Sequence, residues 1–292
     1  HKAPGPDGLP NWVLRDFAFA LCDPVCFIFN ASIRQRTVPQ MWKSANVVPI
    51  PKIRSPQSTD NDLRPISLTP CLSRLLESFI GRWMLDAIGD RFDRKQFGGL
   101  AGRSTTHALI EAVHTWSKAL DEEKSVRVLF VDYRKAFDHV DHSTVLRKMA
   151  DIGVPRFIVE WCHSFLSNRQ QRVKIGDVMS DWLILNGGMP QGTWLGLYVF
   201  LILINDLESA VSLLKYVDDV TATEVLAKCE ISKLQSAVDD LVDWSVRNQM
   251  NININKTKEM LLGPIRKKPP SLLNISCQPV ERVNSFKLLG VT

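Results

Sequence analysis

Apolar side chains along this chain repeat with two periods, and the periods mark out its elements. Between residues 73 and 91 the pairs Leu75/Leu76, Phe79/Ile80, Trp83/Met84 and Ala87/Ile88 recur every four residues downstream of Pro70, which predicts an amphipathic helix. Leu109, Ala112, Val113, Trp116 and Leu120 repeat the pattern up to about residue 122, with Ser104 or Thr105 as the N-cap. Further helices are expected over 11–21, 23–35, 143–152, 155–166, 195–210 and 231–249. Continuous β-branched and aromatic runs predict strands at 46–51, 126–133, 172–175, 182–185 and 213–217, with short strands toward the end. KAPGPDGL at 2–9 reads as a turn cluster. Together these segments form a mixed α+β pattern, with helices backing one antiparallel sheet. No stretch of 20 to 50 residues repeats, which removes solenoids and propellers.

Two interruptions of that pattern carry chemistry. YVDD at 216–219 places adjacent carboxylates, Asp218 and Asp219, inside an apolar run that resumes with Val220. A hairpin turn accounts for one aspartate but not for the pair. Asp132 ends the apolar strand VRVLFVD, eighty-six residues before Asp218, so pairing the two strands in one sheet would bring the carboxylates together. Clustered carboxylates repel unless a hard cation neutralises them. Mg²⁺, held by few carboxylates and by substrate phosphates, suits that need, and two such ions can clamp the oxygens of a phosphoryl transfer.

Composition narrows the setting. Over 292 residues, 45% hydrophobic and 23% charged content excludes wholesale disorder and fibrous classes. The net charge of +5 leans toward an anionic partner. The charge-free stretch 183–205 has an apolar core of only 195–204, too short to span a bilayer, so no transmembrane helix is expected. Six scattered cysteines (Cys22, Cys26, Cys71, Cys162, Cys229, Cys277) form no C-x-x-C pair, which points to reduced thiols in an intracellular protein. A start at His1 and an apolar run at the very end suggest a piece of a longer polyprotein.

FVDYRKAFD at 130–138, GGMPQGTWLG at 187–196 and YVDD at 216–219, in that order, resemble the first three palm motifs of reverse transcriptases. RPISL at 64–68 and QFGGLAGRST at 96–105 upstream, with INKTKEM at 254–260 and FKLLGVT at 286–292 downstream, resemble the flanking blocks of the non-LTR, LINE-type, jockey-like branch. The resemblance implies a right-hand polymerase fold of α+β class, with fingers and an antiparallel palm sheet backed by helices, and the thumb absent from this chain. Residues 1–125 would be the fingers region with an N-terminal extension and a template-contacting loop. Residues 126–292 would be the palm, ending at a primer-grip-like strand. The implied activity is RNA-directed DNA synthesis on an RNA template from a DNA primer and deoxynucleoside triphosphates, with two Mg²⁺ ions that Mn²⁺ could replace. No membrane partner is implied. Endonuclease and thumb regions would lie elsewhere in the polyprotein, working in a cytoplasmic ribonucleoprotein and in the nucleus at insertion.

Carried over by residue, the resemblance makes Asp132 and Asp218 the ligands of both metals and Asp219 their supporting carboxylate. Lys256 would protonate the pyrophosphate leaving group. Lys52 and Arg64 would reach the triphosphate, a guanidinium fork suiting its oxygens, and the backbone near Tyr133 would help to hold it. Gln191 and Gly192, with Pro190, would pack on the incoming nucleotide and template, and Phe137 would exclude a 2′-hydroxyl. His139 and His142, an H-x-x-H, read as surface residues at a helix start capped by Asp141. Leu197 stands where the branch usually has proline, and Gly99 and Ala101 replace the usual aromatic and basic residues of the 96–105 loop. Two other readings are a remnant that binds nucleic acid without copying it and a viral RNA-dependent RNA polymerase. The intact carboxylates argue against the first, and YVDD in place of GDD, with Phe137, against the second.

Overall fold

The structure, a computed structural model, describes residues 3–292. Lys2, which opens the expected turn cluster, lies outside the described residues. The rest of the cluster turns at Gly5, whose carbonyl accepts from the Gly8 N–H at 3.1 Å. The elements follow in chain order: α1 (Asn11–Asp16), α2 (Ala18–Gln35), β1 (Ser44–Pro51), α3 (Thr59–Asp62), β2 (Leu63–Leu68), α4 (Cys71–Ile88), α5 (Thr105–Asp121) and β3 (Ser125–Val131). Then come α6 (His142–Asp151), α7 (Arg156–Leu166), β4 (Arg169–Ile175), β5 (Val178–Met179), β6 (Leu183–Leu185), α8 (Trp194–Asn205), β7 (Ser212–Tyr216) and β8 (Asp219–Leu226). The chain continues with α9 (Leu234–Arg247), β9 (Lys258–Leu262), β10 (Asn274–Ile275), β11 (Gln278–Pro279) and β12 (Glu281–Val283).

These elements pack into two compact units that interleave along the chain. One comprises the chain up to Arg91 with Val140–Ile202, the other Phe92–His139 with Leu203–Thr292. A linear cut at residue 125 therefore does not separate compact units. The reason is strand pairing: β4 lies parallel to β1, with Arg172 opposite Asn46, and this draws the segment after Val140 back to the N-terminal region.

In the first unit the sheet order is β2-β1-β4-β5, with β6 also on β4. From α4 the stripe Leu76, Ile80, Met84 and Ile88 is fully buried, as its periodicity predicts. The first members of three pairs behave differently: Leu75, Phe79 and Trp83 stay partly exposed and line an apolar cavity of about 410 Å³ shared with α2. Pro24, beside the expected helix start at 23, instead lies inside α2 and removes one of its hydrogen bonds; the break falls at Phe17. Trp161 and Phe165 of α7 stack at 5.8 Å in the core.

In the second unit the order is β12-β9-β3-β8-β7, so β3 is central. Val126, Val128 and Phe130 on one face of β3 pack with Ala119 and Trp116 of α5. The other end of the sheet is fastened by charge. Glu259 of β9, fully buried, accepts from Arg127 of β3 at 2.5 Å and from Arg282 of β12 at 2.8 Å. The expectation of one antiparallel sheet is thus corrected to two five-stranded sheets, each containing one parallel pair, and a two-stranded ribbon. Residues 286–292, expected as a strand, form a turn closed by reciprocal Leu288–Val291 hydrogen bonds, because Leu289 and Gly290 adopt positive φ of 48° and 96°. Phe286 stacks on Phe130 at 3.9 Å.

Candidate active site

The second unit holds the carboxylates. β3 and β8 run antiparallel with Val131 opposite Val220, so one residue further on Asp132 and Asp219 leave neighbouring strands side by side. β7 and β8 form a hairpin closed at Tyr216 and Asp219, which leaves Val217 and Asp218 as its two turn residues. Val217 has φ 58°, a conformation that costs a β-branched side chain about 1–3 kcal/mol. Burial among the surrounding protein, then the negative charges of Asp218 and Asp132, push Asp219 up to about 6 although part of its side chain meets solvent. The strand register and the hairpin place the three carboxylates at the same end of the sheet.

The backbone of Asp132 is held by the segment before β9. Its N–H donates to Thr257 Oγ1 at 3.3 Å, and its carbonyl accepts from the Asn253 N–H at 2.7 Å. Tyr133 bridges to Ile252, and the Arg134 N–H donates to the Asn251 carbonyl at 2.8 Å. Lys256 lies exposed on this same turn, its N–H donating to the Asn253 carbonyl at 3.1 Å. The Tyr133 ring is buried beside Trp244, and burial raises its hydroxyl to about 12, so only its backbone is available to a ligand. Phe137 is half-buried in the turn after Asp132, where Lys135 has φ 45°.

The first unit holds the remaining expected residues. Arg64 is exposed on β2 opposite Ile50, and exposed Lys52 follows β1, its N–H donating to the Asp62 carbonyl at 2.8 Å. The Gln191 carbonyl accepts from the Ser67 N–H at 3.0 Å, and Gly192, at φ 93°, lies against Ile66. The loop carrying Gln191 and Gly192 therefore runs along the strand that presents Arg64. His142 is not a bystander: its Nε2 lies 2.7 Å from the Gly188 carbonyl and pins the start of this loop, while Asp141 caps α6 as expected. The far side is anchored at the start of α8, where the Gly196 N–H donates to Thr193 Oγ1 at 3.2 Å. Leu197 sits in the first turn of α8 without disturbing it, and Gly99 adopts φ 74°.

Thr257, Asn253, Ser67 and Glu77 do not stand out in the sequence, although the first lies within INKTKEM and Glu77 is a lone acid in an apolar helix stripe. Among the described residues no group of three or more His, Cys, Asp or Glu side chains is placed to hold a metal ion, His139 and His142 included.

A central strand and a hairpin thus bring Asp132, Asp218 and Asp219 to one end of a sheet. The chain belongs to the reverse transcriptase (RNA-dependent DNA polymerase) family, whose pattern matches residues 50–292. It is 28% identical over 304 residues to the probable RNA-directed DNA polymerase of transposon X-element from Drosophila melanogaster, covering 100% of this chain and 33% of that protein. It is 26% identical over 308 residues to the RNA-directed DNA polymerase of mobile element jockey from the same organism, again covering 100% of this chain and 33% of the relative. The chain thus spans about a third of these relatives' length, and its expected non-LTR, jockey-like affiliation holds. Among solved structures, telomerase from Candida tropicalis, in complex with the TWJ fragment of telomeric RNA, matches with a TM-score of 0.53 at 15% identity. That match covers 88% of this chain and 45% of the telomerase chain, and it shows the fold. Reverse transcriptases depend in general on divalent metal.

Proposed function

We propose that this chain is the polymerising part of a non-LTR retrotransposon's RNA-directed DNA polymerase, which extends a DNA primer on an RNA template. The observation that carries the reading is the convergence of Asp132, Asp218 and Asp219 at one end of the sheet, a set of like charges that calls for a cation. The donor set fits Mg²⁺, which takes only one or two carboxylates and completes its shell with water and substrate phosphates, so no closed cage is required. Two ions bound there would supply polarisation of the attacking and leaving oxygens.

Asp132 and Asp218 would hold those ions, and Asp219 would add negative charge beside them. The primer 3′-oxygen attacks the α-phosphorus, the bond to the pyrophosphate oxygen breaks, and Lys256 would deliver a proton to that leaving group. Arg64 and Lys52 would bind triphosphate oxygens. The Gln191–Gly192 backbone would pack on the nascent pair, and Phe137 would stand against C2′ of the incoming sugar. A polyanionic partner is supported by one face of the first unit's sheet. Residues opposite one another in a sheet share a face, so Arg64 opposite Ile50 and Arg172 opposite Asn46 project the same way, with Lys174 two residues on. On that face the Arg172 guanidinium lies 4.4 Å from the centre of the Trp182 ring.

The test is primer extension on an RNA template by the full-length protein. Asp132→Asn or Asp218→Asn should lower the rate by several orders of magnitude, because each removes a charge from the metal-binding set. Near-normal extension by Asp218→Asn would overturn the reading, as would a wild-type protein that binds primer–template without extending it.

A further inference from the structure

The turn that carries Asp218 is held from outside the hairpin. Gln96, 1% exposed, follows Lys95 into a short parallel bridge with Lys215 of β7: the Lys215 N–H donates to the Lys95 carbonyl at 2.8 Å and the Phe97 N–H to the Lys215 carbonyl at 2.7 Å. This places the Gln96 side chain under the turn. Its Oε1 accepts from the Val217 N–H at 2.9 Å and from the Gly98 N–H at 2.9 Å. Gly98 is obligatory at this contact, since a Cβ there would lie 2.6 Å from both the backbone nitrogen and a methyl of Val217.

The segment is itself tied down. Arg103 donates to the carbonyls of Asp93 and Gln96, and Lys215, 1% exposed, pairs with Asp93 at 3.0 Å. Positive φ at the first central position of a two-residue hairpin normally calls for glycine. Here a valine occupies it, at φ 58°, so the strained turn must be over-determined by its surroundings.

We propose that Gln96 is a positioning residue whose amide oxygen clamps Val217 in its left-handed conformation and thereby sets where Asp218 and Asp219 stand. The inference rests on the polymerase reading for its catalytic consequence, but the clamp itself is a property of the turn. Without the acceptor, Val217 would relax toward negative φ and carry the adjacent aspartates with it. A glycine at 217 needs no clamp, because left-handed backbone is open to it.

Amide hydrogen exchange of the 212–222 hairpin, measured in the full-length protein without substrate or metal, tests the clamp directly. Gln96→Met keeps the side chain's length and removes the acceptor. Exchange at Val217 should accelerate roughly tenfold, the loss expected for one buried hydrogen bond. Gln96→Asn withdraws the oxygen by one carbon and should act in the same direction, which keeps the test open if the Met variant does not fold. In primer extension, Gln96→Met should raise the Mg²⁺ concentration for half-maximal rate severalfold while primer–template affinity stays put, a split that general loss of folded protein would not produce. In a Val217→Gly background the same substitution should have little further effect on the Mg²⁺ requirement, because glycine holds the left-handed conformation unaided. Unchanged Val217 exchange, or an equal rise in the Mg²⁺ requirement on Gln96→Met in both backgrounds, would overturn the proposal. A protein that fails to extend primers yet shows the exchange effect would remove the polymerase reading and leave the clamp standing.

Discussion

Asp219 is the residue at which the charge conflict of the site is felt in the folded chain. Its pKa of about 6 lies above the ordinary 3.8, so the folded state favours the protonated form and loses stability as pH rises from about 4 to about 6. In the absence of divalent cation, Asp219→Asn should therefore stabilise the protein at pH 7.5, by about 1 kcal/mol once solvent screening is allowed for, and bring no such gain at pH 4. Thermal melts at the two pH values decide it; equal effects at both would show that folding does not raise Asp219. Phe137 makes a different kind of claim. It stands five residues after Asp132, half-buried, and the proposed function sets its ring against C2′ of the incoming sugar, where it would exclude a 2′-hydroxyl. Phe137→Val should admit ribonucleotides while deoxynucleotide incorporation falls only modestly. A loss of stability with an unchanged ratio of the two efficiencies would make Phe137 an ordinary packing residue.

At the scale of elements, the joints between helices and strands are made by buried charge as well as by apolar surface. Glu77 of α4, fully buried, accepts from Ser73 at 3.0 Å, and burial raises its carboxyl to about 7. Arg169, at the start of β4, is also buried; burial lowers its guanidinium to about 10, and the attraction between the two charges opposes both shifts. Glu77→Leu should cost about 3 kcal/mol by removing the negative charge that offsets buried Arg169, and adding Arg169→Met should recover most of that, since apolar side chains often replace two buried opposite charges without loss. Urea unfolding of both single variants and the double measures the coupling; additive costs would mean that the two groups do not act as a pair. Part of this was open to sequence reading. The stripe of α4 and the Ser104 and Asp141 caps follow from local pattern, because a helix repeats its buried face every three to four residues. The burial of Glu77 and Arg169 within reach of each other's charge was not, because the two residues lie ninety-two positions apart and neither leaves a periodic trace.

For the whole molecule, the expected partner is a polyanion of any sequence, so binding should run through phosphate contacts. Affinity for primer–template should fall steadily as salt rises from about 50 to 200 mM, following counterion release. A flat response, measured by fluorescence anisotropy at several salt concentrations, would count against a surface that tracks the backbone. The sequence by itself determined where the carboxylates sit along their elements. Asp132 at the end of β3 and Asp218 in the β7–β8 turn are legible because a charged residue in an apolar strand is costly unless it serves something. Tertiary structure alone decided which groups hold them. Thr257 and Asn253 on the backbone of Asp132, Gln96 under Val217, and Ser67 on Gln191 are hydrogen bonds between segments far apart in the chain. So is the parallel pairing of β1 with β4, which divides the chain into interleaved units. A polar residue in a loop looks the same whether it faces water or a buried amide, and only the folded chain brings donor and acceptor within reach.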